Sequence, residues 1–202
     1  MNMAFLCSMA TWVIAIFFAS PVIADSTSQC RSPFTSYNLI SENPEENDSL
    51  EDGFALMPGR NSIIFGHIGR EMNWCESGSK YYCFTSRDIS FAVPKSPLTI
   101  GERWSWGARR YEVKAIESWT LIGTTASTWL IFGKPEHGAV DTYYYYSLDN
   151  GLLLIKQLRG EPEQLIFVSA AVRGFPYLYC IDDELNMYPF QGDVPIKSRR
   201  QK

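Results

Sequence analysis

The chain has 202 residues, of which 46% are hydrophobic, 14% aromatic and 20% charged, with a formal net charge of −4. Four positive charges, Lys197, Arg199, Arg200 and Lys202, crowd the C-terminus, so the remainder stands near −8. An acidic body repels a phosphate backbone, which excludes nucleic acid as the main partner, and a chain of this length forms a core without structural metals.

Residues 1–24 contain no Asp, Glu, Lys or Arg, and their apolar run over 4–18 has the length of a signal-peptide core. Pro21 and then Val22-Ile23-Ala24 follow, so cleavage is expected before Asp25. Met1-Asn2-Met3 supplies only the α-amine as positive charge, and the alternative is an uncleaved N-terminal anchor. Neither Cys7 nor Cys30 follows the small-residue box that lipoprotein processing needs. The expectation is an exported protein, periplasmic if the source is Gram-negative and otherwise secreted.

Removing 24 residues leaves 178 and four cysteines, Cys30, Cys75, Cys83 and Cys180. An even number in an exported chain implies two disulfides. No Cys-x-x-Cys pair occurs, which argues against thiol–disulfide catalysis. Proximity favours Cys75 with Cys83, leaving Cys30 with Cys180 to tie the ends of the domain together.

Residues 25–53 read as an extended acidic leader or loop, with Glu42, Glu45, Glu46, Asp48, Glu51 and Asp52 around Pro44. A calcium loop would want an oxygen ligand where Leu50 stands, so the segment reads as solvated. Residues 54–190 read as a single β-rich domain and 191–202 as a basic tail. Strands are predicted over 88–93, 110–115, 127–132, 140–147, 152–158 and 164–172, where Ile, Val, Phe, Tyr and Thr alternate between Gly, Pro, Asn and Ser punctuation. Ile89, Phe91 and Val93 share one face; Tyr111, Val113 and Ala115 share another, with a slip of phase at Ile116. Asn150-Gly151 marks a hairpin. Residues 182–188 have room for a turn or two of helix.

Short linkers make neighbouring strands antiparallel, and the later strands are apolar on both faces, so both faces need cover. The fold class expected is all-β, mainly antiparallel, with little helix, as a strongly curved sheet, a half-barrel or a sandwich.

Catalytic and metal-binding side chains are few. His67 is in phase with Ile63 and Phe65 and is expected at the edge of a core face, while His137 falls in a turn. Ser77-Gly78-Ser79-Lys80 matches Ser-x-x-Lys but lies between two cysteines in a loop. No catalytic residue, metal site or cofactor is assigned. Aromatics are plentiful: Trp104 and Trp106 share a strand face, and Tyr143 to Tyr146 populate both faces of theirs. An apolar ring with a polar tip suits a lipid-like pocket or a platform for sugar rings. Trp104, Trp106, Tyr143 and Tyr145 are therefore the candidate ligand-binding residues. The function expected is a non-catalytic β-domain that binds an apolar small molecule, a glycan or an envelope protein. The alternatives are a structural or inhibitory envelope interaction protein without a pocket and a hydrolase using one of the histidines. Membrane contact would run only through the basic tail or an uncleaved signal.

Overall fold

Alternation of buried and exposed side chains along short β-branched and aromatic runs produces strands throughout the computed structural model, which describes residues 30, 32–40, 53–76, 78–121, 123–136, 140–160, 163–181 and 187–190. The expected signal peptide, the acidic cluster at 42–52, Ser77, His137 and the basic tail lie outside the described residues. In chain order the strands are β1 (Thr35–Ile40), β2 (Phe54–Met57), β3 (Ser62–Phe65), β4 (Ile68–Glu71), β5 (Asn73–Trp74), β6 (Tyr81–Thr85), β7 (Ser90–Pro94) and β8 (Arg103–Trp106). They continue with β9 (Arg109–Leu121), β10 (Thr124–Pro135), β11 (Asp141–Ser147), β12 (Gly151–Gly160), β13 (Glu163–Ser169), β14 (Tyr179–Ile181) and β15 (Met187–Pro189). Helix among the described residues is one 3-10 turn at Pro58–Arg60.

Ten strands form one antiparallel sheet in the order β4-β3-β2-β1-β13-β12-β11-β10-β9-β8, β5-β6-β7 form a second, and β14-β15 pair separately. The three-stranded sheet lies on one face of the large one. There Phe91 packs on Tyr144 at 5.1 Å between ring centroids, the Trp104 indole donates to Ala92 O at 3.0 Å, and Gln157 Nε2 donates to Asp88 O at 3.1 Å. Phe84, Phe91 and Phe175 complete the aromatic centre of this layer, with edge contacts of 5.1 Å for Phe84 on Phe175.

The expectation of a strongly curved sheet, half-barrel or sandwich is corrected here. The large sheet is open: β4 and β8 end it and do not pair with each other. Apolarity on both faces calls for cover by a second sheet, a barrel wall or a covering segment, and here a small separate sheet covers part of one face while the large sheet stays open. The edges are protected by being short and by carrying exposed charge, Glu71 on β4 and Arg103 on β8.

Three further readings change. Residues 25–53 are not leader throughout, because β1 falls inside them and occupies an interior place between β2 and β13; its Thr35, Tyr37 and Leu39 alternate inward, a signal overshadowed by the acidic run after it. Residues 182–186 of the expected helical turn lie outside the described residues, and Met187–Pro189 is strand, paired with β14. The phase slip read at Ile116 occurs two residues earlier: Leu130 faces Ala115 and Ile131 faces Val113, leaving Lys114 as the extra residue of a bulge.

The Asn150-Gly151 hairpin joins β11 to β12, and only Gly151 takes positive φ, at 72°. A Cβ on Gly151 would stand 2.4 Å from Gly174 O, so the turn and the approach of the 174–175 backbone both require glycine. Both disulfides form as expected from spacing, Cys30–Cys180 with Cα atoms 5.6 Å apart and Cys75–Cys83 at 5.2 Å. Two disulfides are consistent with an oxidising extracellular or periplasmic environment.

Candidate functional site

The four candidate binding residues fall on opposite faces of the ten-stranded sheet. Trp104 and Trp106 point toward the core side. Trp104 is buried, stacked on Tyr111 at 5.4 Å and 8°, with its N–H satisfied by Ala92 O. Trp106 is half-buried and packs against the same core. Tyr143 and Tyr145 point to the other side, half-buried against Phe132 at 5.1 Å and Trp119 at 4.8 Å. Strand alternation brings together the members of each pair and separates the pairs by the thickness of the sheet. His67 departs from the core-edge expectation: Gly66 takes φ 51°, the strand ends, and His67 is exposed in the turn between β3 and β4.

A different set of rings lines a groove of about 270 Å³ beside the Cys75–Cys83 hairpin. Its walls include Trp74, Tyr81, Tyr82, Phe175, Pro176 and Leu178. The disulfide closes the short loop between β5 and β6, Cys75 N donates to Cys83 O at 3.2 Å, and Lys95 N donates to Lys80 O at 2.9 Å. The Lys80 ammonium sits 5.2 Å from the Tyr81 ring centroid and the Lys95 ammonium 5.1 Å from that of Tyr82, which fixes both rings at the rim. Trp74 tilts over Phe175 at 5.5 Å, and its buried indole N–H has no acceptor among the described residues. An unmatched buried donor costs about 1–3 kcal/mol. Sequence reading passed over this groove because Phe175 comes from a loop remote in sequence. The local signal was Lys80-Tyr81-Tyr82-Cys83, two rings adjoining a cysteine.

A second concavity, about 450 Å³, lies along β8, β9 and β10 and is lined by the charged Arg103, Arg110, Glu112 and Lys134 together with Ser105, Phe132, Trp104 and Tyr111. Glu112 is bonded to Arg103 at 3.2 Å and Lys114 at 2.9 Å, and the hydrogen bonds from Lys114 and Arg103 hold its carboxyl below the ordinary value.

Behind this strand pair Arg109 is buried without a carboxylate partner among the described residues. It donates to Gly133 O at 2.9 Å, Thr142 Oγ1 at 3.2 Å and Val140 O at 3.3 Å. Gly133 makes room for it: a Cβ there would stand 2.7 Å from the Tyr144 ring and 3.3 Å from Arg109 Cδ. Burial pushes the Tyr111 and Tyr144 hydroxyls upward, against the pull of the Arg109 charge. Both tyrosines stay protonated at neutral pH; the Tyr144 hydroxyl donates to Ser90 O, whereas the buried Tyr111 hydroxyl has no partner among the described residues. Among the described residues no three of His, Cys, Asp and Glu gather as metal ligands.

No protein-family model, curated protein or solved structure matches the chain.

Proposed function

We propose that the protein is an exported, non-catalytic binding domain, periplasmic or secreted once residues 1–24 are removed, and that its ligand is an apolar or ring-bearing small molecule. The observation that carries this reading is the aromatic groove of Trp74, Tyr81, Tyr82 and Phe175, held by a disulfide and therefore organised before the ligand arrives. Its volume of about 270 Å³ lies just under the range of drug-sized sites, which favours a single ring or a short acyl segment. An acceptor on that ligand would offset the unmatched Trp74 N–H.

The test uses N-phenylnaphthylamine, a neutral ring-bearing probe whose fluorescence rises in apolar surroundings. Wild-type protein should enhance it. Each lost aromatic contact is worth about 1–3 kcal/mol, so Trp74→Leu and Tyr82→Leu, checked for folding by circular dichroism, should each bind about tenfold more weakly. Equal binding by folded variants, or no binding by the wild type, would refute the groove.

A partner protein is the second reading, favoured by one observation. Ile40, Ile166, Lys156, Tyr143 and Phe132 follow one another across five strands on the uncovered face, with Ile40, Leu158 and Trp119 exposed.

A further inference from the structure

Two rows of side chains cross the outer face at the β8 edge, and strand register sets their membership. In the first, Arg103 faces Glu112 and Glu112 faces Phe132; its charges are matched, because Glu112 is bonded to Arg103 and to Lys114. In the second, Ser105 faces Arg110 and Arg110 faces Lys134. That row holds two cations on directly opposite positions, with Cα atoms about 5 Å apart, and continues past Lys134 to Asp141, which the β10–β11 register sets beside it. Directly opposed like charges destabilise a strand pair. Glu136 follows β10 and Asp141 opens β11 nearby, yet neither forms an ion pair with Arg110 or Lys134 among the described residues. Arg103, Ser105, Arg110, Lys134 and Phe132 line the same 450 Å³ cleft together with Glu112, whose carboxylate is already held by Arg103 and Lys114.

We infer that this cleft is an anion site for a phosphate or sulfate ester, which Arg110 and Lys134 grip from two strands while Ser105 donates from the edge strand. Arg103 stands at the mouth, and the Phe132 ring gives the ester's apolar body a wall to lie on. An otherwise acidic chain keeps an uncompensated pair of cations here because the ligand is the missing charge. The shared chemistry of the ester has two sources, a soluble phosphoester and a lipid headgroup.

The test is made on the full chain with inorganic pyrophosphate and, separately, with vesicles of phosphatidylglycerol in phosphatidylcholine. Pyrophosphate should raise the melting temperature of the wild type, less so as salt is added. Hydrogen bonds to charged groups are strong enough that Arg110→Gln and Lys134→Gln should each weaken binding about tenfold or more. Without the anion Lys134→Gln should melt higher than wild type, since it relieves the repulsion, a response that a purely structural lysine would not give. A variant with Lys197, Arg199, Arg200 and Lys202 all changed to Gln should keep the pyrophosphate response. Sedimentation with the anionic vesicles but not with phosphatidylcholine alone, lost in Arg110→Gln, assigns a headgroup; a pyrophosphate response without sedimentation assigns a soluble ester. The inference is overturned if pyrophosphate acts equally on wild type and Arg110→Gln, if the tail variant alone loses the response, or if Lys134→Gln melts lower, which would place Lys134 in an attractive pair with Asp141.

Discussion

The Tyr37 hydroxyl joins β1 to a loop 138 residues away, accepting a hydrogen bond from the Phe175 amide at 2.9 Å. The same oxygen donates to Leu152 O at 2.8 Å, while Leu152 N donates to Phe175 O at 2.8 Å. One phenol thus fastens the Phe175 loop, a wall of the aromatic groove, to the large sheet. Tyr37→Phe would keep the buried ring, which stacks on Phe54 at 4.8 Å, but leave the Phe175 amide without an acceptor. A buried donor left unmatched costs about 1–3 kcal/mol. Urea denaturation should show that loss with an unchanged slope. An unaltered midpoint would mean that the loop finds another acceptor.

Alkaline pH should unfold the protein through its buried phenols. Tyr37, Tyr111, Tyr144 and Tyr146 are all raised above the ordinary tyrosine value of 10.0, in each case mainly by burial. Their folded values exceed their unfolded ones, so the stability they contribute is complete below pH 10 and is lost as pH rises beyond it, because only the unfolded chain releases these protons. Tyrosinate absorbance should therefore rise in two stages, exposed phenols first and these four together with loss of ellipticity. A single smooth titration without unfolding would contradict their burial.

Legibility in the sequence followed the range of the interaction. Period-two alternation is local, so β7, β10, β11, β12 and β13 are readable to within a few residues, and Ile89, Phe91 and Val93 are buried as the pattern demands. Cysteine pairing is legible because an eight-residue separation leaves one natural partner. Which sheet a strand joins is not local. Nothing in residues 81–94 says that β6 and β7 leave the main sheet to cover it, and that departure decides between closure and an open sheet. The groove failed to show for the same reason, since Phe175 reaches Trp74 from a remote segment of the chain that the Tyr37 hydroxyl ties to the large sheet.

The two disulfides should differ in their worth. Cys30–Cys180 closes a loop of separation 150 and Cys75–Cys83 one of 8. Loop-closure entropy assigns about 5 kcal/mol to the first and about 2.5 kcal/mol to the second. Paired Cys→Ser variants, compared by guanidinium denaturation, should follow that order. The Cys75–Cys83 variant should in addition weaken N-phenylnaphthylamine binding, because its loop carries the groove rim, whereas the other should bind normally while folded. The reverse order of stability would show that residual structure in the unfolded chain outweighs loop length.

Trp104 and Tyr143 separate packing from availability on a single sheet. Trp104 fills the core side, stacked on Tyr111 and bonded to Ala92 O, so Trp104→Ala removes a large buried ring and strands a carbonyl of β7. Truncations of this kind cost about 3–5 kcal/mol, a large share of the total for a domain of this size. Tyr143 is half-buried on the outer face, and its main ring contact is Phe132. A cross-strand aromatic pair contributes about 1 kcal/mol, so Tyr143→Ala should fold and melt only slightly lower. Thermal denaturation of both variants measures the difference directly. If Trp104→Ala melted as high as Tyr143→Ala, the three-stranded sheet would have to be held to the large one by its other contacts, Phe91 on Tyr144 and Gln157 Nε2 on Asp88 O among them.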